Sequence, residues 1–148
     1  MATRALDDQL TYRLHLLHKL TDAASQQAYL DEAGLPIGEG RCLAAIGAFG
    51  PLSVVQLGER ANLDKGQASR AAQSLVDQGL VAKAASAVDA RAVVLSLTPR
   101  GRAAWKRVMA LIERRNEEIF GCLSAAEQRQ LAGLLDRLVA HARGEGAG

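Results

Sequence analysis

Apolar residues recur at helical spacing along most of this chain and at strand spacing over one short stretch. From Leu6 to about Leu30 there is neither proline nor glycine. Leu6, Leu10, Leu14, Leu17 and Ala24 form one stripe of a helix; Leu16, Leu20, Ala23 and Leu30 form a second. A helix apolar on two sides packs against more than one neighbour, and a second subunit is one candidate. Gly34, Pro36, Gly38 and Gly40 interrupt the pattern. It resumes near Arg41 through Cys42, Leu43, Ile46 and Phe49, and stops at Gly50-Pro51.

Ser53 to Val81 reads as two short helices around a turn. Val54, Leu57 and Ala61 share one face of the first, which Ser53 is placed to cap. Asn62 and Leu63 make the turn, and Asp64 caps the second helix. Ala68, Ala71, Ala72, Leu75 and Val76 give that helix an apolar face, and Gly79 ends it. The opposite face carries Lys65, Gln67, Ser69, Arg70, Gln73 and Ser74. Such a pair of helices resembles a helix-turn-helix, and those side chains suit phosphates and base edges.

The period then changes. LVAKAA and AVVLSLT are short runs of strand-forming residues around a polar tip, Ser86 to Arg91, which predicts a β-hairpin and hence a winged motif. Thr98-Pro99 starts a long helix through Ala104, Val108, Leu111, Ile112 and Ile119 to about Phe120. Ser124 with Glu127 predicts a capping box for a last helix carrying Leu131, Leu134, Leu135 and Leu138. The fold class is therefore mainly α with a small β-hairpin wing. Residues 1–143 form one domain, and 144–148 are expected to be a disordered tail.

Charge sharpens this picture. The net charge of +2 divides into −3 over residues 1–59, +6 over 60–107 and −1 over 108–148. A positive bias confined to one supersecondary module favours a polyanionic partner. No apolar run approaches the length of a membrane span, and the N-terminus lacks a signal-peptide core. Cys42 and Cys122 lack metal or disulfide spacing. A cytoplasmic protein without cofactors is expected, with no membrane partner.

The order helix, helix, helix-turn-helix, wing, long helix, last helix resembles the MarR family of bacterial transcription regulators. That family's wing carries an Asp, one residue, an Arg, then a strand ending Leu-x-Leu-Thr, with Gly three residues later. Asp89, Arg91, Leu95, Leu97, Thr98 and Gly101 match it position by position. The resemblance implies a homodimer joined by helices at about 5–32 and 99–143, flanking a winged core at about 36–100. It implies two modules spaced for a palindromic operator of double-stranded DNA. It also implies a regulator, commonly a repressor, released by a small, often phenolic, aromatic ligand or by an oxidant. Two positions depart from the family: Gly66 stands where Ser or Thr is usual, and Lys83 to Val88 replace a stretch usually rich in Arg.

On this reading the DNA-binding candidates are Ser53, Lys65, Gln67, Ser69, Arg70, Gln73, Ser74 and Lys83, with Asp89 and Arg91 in the wing. Arg91 is expected to enter the minor groove, with Asp89 holding its guanidinium. His15, His18 and Asp22 share a helix face. Without further His or Cys nearby they do not make a metal site, and His15 and His18 stay as candidates for lining a ligand pocket or for a solvated face. Cys42 falls on an apolar stripe and reads as core. The histidines have no evident nucleophile or acid partner, and no phosphate loop or HExxH occurs, so no enzyme is expected. The rival readings are a winged interaction module that has lost DNA binding, and a metal- or redox-responsive regulator of the same fold.

Overall fold

The computed structural model describes residues 5–145. They fall into two compact units, one up to Ile112 and one from Glu113. The elements are α1 (Leu10–Ala28), α2 (Ile37–Phe49), α3 (Val54–Ala61), α4 (Lys65–Asp77), β1 (Val81–Ala85), β2 (Val93–Leu97), α5 (Pro99–Phe120) and α6 (Ala125–Ala142). This is the mainly helical winged architecture expected from the sequence.

The first helix departs from the expected single run. Leu6–Asp8 form a 3-10 turn, Gln9 is extended, and α1 starts only at Leu10. At its other end Tyr29–Ala33 widen into a π-turn closed by Gly34 at φ 66°. α2 also begins earlier than the glycines suggest, at Ile37 rather than near Arg41. Gly38 and Gly40 therefore lie inside the helix. A Cβ on Gly40 would collide with the Tyr29 ring, so that glycine marks a close approach of ring to helix rather than a break. Gly47 serves Trp105 in the same way, and the indole N–H donates to the Ala44 carbonyl at 3.2 Å.

The core of the first unit gathers Leu35, Cys42, Leu43, Ile46, Leu57, Leu75, Leu95, Val108 and Leu111, all but closed to solvent. β1 and β2 pair antiparallel, Val81 opposite Leu97 and Ala85 opposite Val93. Sequence periodicity missed a third, one-residue rung: Leu52 exchanges two backbone hydrogen bonds with Leu95, at 3.1 and 2.7 Å. Its run is too short to carry a period.

α4 ends in the six-to-one closure a glycine favours. Gly79, at φ 75°, donates to the Val76 carbonyl, and Leu80 donates to that of Leu75. The Thr98 hydroxyl then donates to the Gly79 carbonyl at 2.6 Å and accepts from Gly101 N–H at 3.0 Å, capping α5. In the second unit, the expected capping box of Ser124 and Glu127 starts α6. The tail expected to be disordered is in part a helix closure: Glu145 N–H donates to the Ala140 carbonyl at 2.8 Å. Residues 146–148 lie outside the described residues.

A Cβ on Gly101 would meet the Leu80 carbonyl, which is backbone and cannot rotate away. Gly101→Ala should therefore cost about 1–3 kcal/mol of unfolding free energy, as overpacking does. Gly38→Ala, with open space around the added methyl, should be neutral or stabilise by up to ~1 kcal/mol. Urea denaturation of both variants checks this, and coincident midpoints would contradict the tight approach of α5 to Leu80.

Candidate nucleic-acid interface

Both helices of the helix-turn-helix are started by reciprocal caps. Gln56 N–H donates to Ser53 Oγ at 3.2 Å while Ser53 N–H donates to Gln56 Oε1 at 3.0 Å. Asp64 and Gln67 repeat the arrangement for α4, at 2.8 and 3.2 Å. Between them Asn62 takes a left-handed conformation, φ 59°, which asparagine tolerates better than most residues. α4 buries Ala68, Ala71, Ala72 and Leu75, so small side chains let it lie close to its neighbours. Its other face points to solvent.

The predicted contact residues on that face are not equivalent. Lys65, Ser69 and Arg70 are exposed and make no side-chain hydrogen bond or ion pair among the described residues. Gln67 commits its carbonyl to the cap and keeps its NH2 free. Ser53 is likewise a cap. Toward the C-terminal end the side chains bind one another: Lys83 Nζ donates to Gln73 Oε1 at 2.8 Å, and Gln73 Nε2 donates to Asp77 Oδ1 at 2.8 Å. Ser74 Oγ accepts from Gln78 at 3.1 Å.

Gly66 lies close to two side chains. A Cβ there would stand 3.3 Å from both a guanidinium nitrogen of Arg70 and Asp64 Oδ1. Helical side chains lean toward the N-terminus, so Arg70 lies back over the first turn of α4, and a methyl at 66 would ask its guanidinium to shift by a few tenths of an ångström.

At the wing tip the expected ion pair is replaced by a backbone contact. Asp89 Oδ1 accepts from the Arg91 backbone N–H at 3.0 Å, and no ion pair joins the two side chains. The short carboxylate reaches the amide two residues on more easily than a guanidinium at the end of a long stem. Ser86 Oγ accepts from Val88 and Asp89, and Ser86 N–H donates to Ala92. These bonds replace the glycine turn the tip lacks. Arg91 is left exposed.

Behind the motif lies a cavity of about 390 Å³, walled by Tyr29, Phe49, Met109 and Ile112 and edged by Arg41 and Arg60. Asn62, at the turn between α3 and α4, also lines it. The Arg60 guanidinium sits 4.3 Å from the Phe49 ring centroid. Burial raises the Tyr29 hydroxyl's pKa, partly offset by Arg41, so the phenol stays neutral at physiological pH. Nothing in the sequence pattern singled out Arg41 or Arg60, because isolated arginines on helices look like solvated surface.

His15 and His18 are exposed on α1 and do not line this cavity. No group of three or more His, Cys, Asp or Glu side chains able to hold a metal occurs among the described residues. Cys42 is buried, as expected, and burial together with Glu39 pushes its thiol up to about 11. Among the described residues no helix is long and apolar enough to cross a membrane.

The sequence model of the MarR family matches residues 33–92. The HTH-type transcriptional repressor Rv2887 of Mycobacterium tuberculosis is 31% identical over 111 residues, covering 75% of this chain and 80% of that protein. The chain belongs to the MarR family. It is thus a winged helix-turn-helix transcription regulator of bacterial type. Among solved MarR-like structures, Rv2887 in complex with p-aminosalicylic acid is 28% identical, with a TM-score of 0.68 over 88% of this chain and 98% of that one. Bordetella bronchiseptica BpsR, whose DNA binding is regulated by 6-hydroxynicotinic acid, shares the fold at a TM-score of 0.82. Its identity is 24%, covering 93% of this chain and 98% of that chain.

Proposed function

We propose that this protein is a homodimeric repressor that grips a palindromic operator with α4 and the wing, and releases it when a small aromatic acid binds. The observation that carries the DNA reading is the split of α4: one face buried, the other presenting unpaired Lys65, Ser69 and Arg70, with Arg91 exposed at the wing tip. The local net charge of +6 over residues 60–107 supports it. Arginine suits guanine and Ser69 suits phosphate. Arg91 suits the flanking minor groove, most negative where it is narrow and A·T-rich.

For the dimer, the support is apolar surface left open. Neither α1 nor α6 buries a single residue, although Leu10 and Leu20 are each more than 70% exposed and Leu138 is 61% exposed. Two-fold protein symmetry also suits a palindrome. For the ligand, the support is the cavity: aromatic and aliphatic walls fit a ring, and Arg41 or Arg60 fits a carboxylate. Rv2887, a relative, is structurally known with p-aminosalicylic acid and with salicylic acid. The cavity touches Asn62, so its occupant would press on the turn that sets α4.

Binding to duplexes selected from a randomised pool should weaken steeply with salt, log K falling by about 0.9 per phosphate neutralised for each unit of log salt. Arg70→Ala should cost about 1–3 kcal/mol and relax discrimination at one base pair. Arg91→Ala should instead weaken preference for A·T flanks and leave the half-site centre unaffected. Salt-independent affinity would favour the interaction-module reading.

Light scattering at micromolar concentration should give the mass of a dimer, and Leu14→Glu or Leu135→Glu should shift it toward monomer or unfold the chain. A monomeric wild type would overturn palindromic recognition.

Salicylate should raise the melting temperature, because a ligand bound only by the folded state stabilises it. It should also lower affinity for the selected duplex. Arg60→Ala with Arg41→Ala should abolish both effects; unchanged responses in that variant would place the ligand elsewhere.

A further inference from the structure

We propose that Lys83 and Gln73 form a strut that fixes the angle of the wing against α4, making both positioning residues for the wing rather than groups that read DNA. The inference rests on the DNA-binding reading above, and concerns how the two reading elements are held in register.

The hairpin is anchored at its inner end. Val81 and Leu95 are buried, and Leu95 is bonded through its backbone to Leu52. Its outer end has no such anchor. Ala84 and Ala85 are exposed, Val93 is half exposed and Val88 is almost fully exposed. Two paired strands are marginally stable alone, so their direction depends on whatever they lean against. Lys83 stands opposite Leu95, and partners directly across an antiparallel ladder share a face. Lys83 therefore points to the core side of the hairpin, and its ammonium reaches Gln73 of α4. Among the described residues this is the side-chain hydrogen bond that ties the wing to α4.

The chain of bonds fixes the amide's orientation. Gln73 has an ammonium at one end and the Asp77 carboxylate at the other, each at 2.8 Å. Reversing the amide would set donor against donor and acceptor against acceptor, so only one orientation satisfies both. The amide dipole then lies between opposite charges, which polarises and strengthens both bonds. Each end of the Gln73 amide thereby holds one partner, so its remaining N–H and lone pair are fixed in direction by the strut. The side chains of α4 that hold no partner, Lys65, Ser69 and Arg70, lie nearer its other end, with Arg70 the one suited to a base. Arg91 lies beyond the strut, so a small change of angle at Lys83 becomes a larger displacement at the tip.

The experiment compares Lys83→Met, Gln73→Met and the double variant, alone and with Arg91→Ala, on duplexes selected by the wild type. Each single variant should lose preference for A·T over G·C flanks by roughly two- to tenfold, the range a net hydrogen bond supports. The double variant should lose no more, since either change breaks the same bond. With Arg91→Ala already present, neither change should alter flank preference further. Lys83→Arg, which keeps a donor, should restore most of it. Hydrogen exchange of the β1–β2 amides without DNA should quicken equally in both single variants. If Lys83→Met instead lowers the salt slope by about 0.9 and Gln73→Met does nothing, Lys83 is a phosphate contact and the strut is wrong. Unchanged amide exchange would also overturn it. A wild type that selects no duplex would overturn the DNA reading itself, a failure distinct from either.

Discussion

The end of α4, both strands of the wing and the start of α5 are all tied together at Thr98. Its hydroxyl donates to Gly79, just past α4, and accepts from Gly101 in the first turn of α5. Its backbone N–H donates to the Leu80 carbonyl, just before β1. A hydroxyl can give one hydrogen bond and take others at once, so a single threonine links the helix end to the next helix start. Gly101 is part of the same constraint, because a side chain there would push α5 off the Leu80 backbone. The start of the wing is therefore held at Thr98 and Gly101, while the angle of its outer part is left to contacts farther out.

Upstream of that junction α4 is sparing with bulk. Alanines at 68, 71 and 72 fill its buried face. Each contributes little apolar area, but small residues allow close approach, and the same core holds Leu57, Leu75 and Leu95, all closed to solvent. The outward face then carries side chains that no core contact constrains. Capping divides the polar residues further: Ser53, Asp64 and Gln67 are used to begin helices, while Lys65, Ser69 and Arg70 hold no side-chain bond among the described residues. One helix thus contains residues that build the motif and residues that meet DNA on the proposed reading, interleaved in sequence.

The same division runs through the cavity beside the motif. Its walls are buried Tyr29 of the π-turn and partly exposed residues of α2 and α5, and its edge is the turn between α3 and α4. Arg60 rests over Phe49 there rather than reaching a carboxylate. A guanidinium stacked on an aromatic face keeps its in-plane donors available, which is what recognition of an incoming anion requires.

The sequence by itself determined the order of elements, the capping residues, the buried face of α4 and the placement of the wing, because each is a local matter of spacing and of backbone preference. Ser53, Asp64, Gly79, Thr98 and Ser124 do in the structure what their positions in the chain predicted. What tertiary structure alone decided are the relations between distant residues. Gly40 looked like a break and is a seat for Tyr29; Leu52, which no periodicity marked, pairs with Leu95. Asp89 serves the backbone of Arg91, and Gln73 and Lys83 serve each other. A periodic pattern says which side of an element is apolar, whereas the partner of a polar side chain depends on which other elements come within about 3 Å of it.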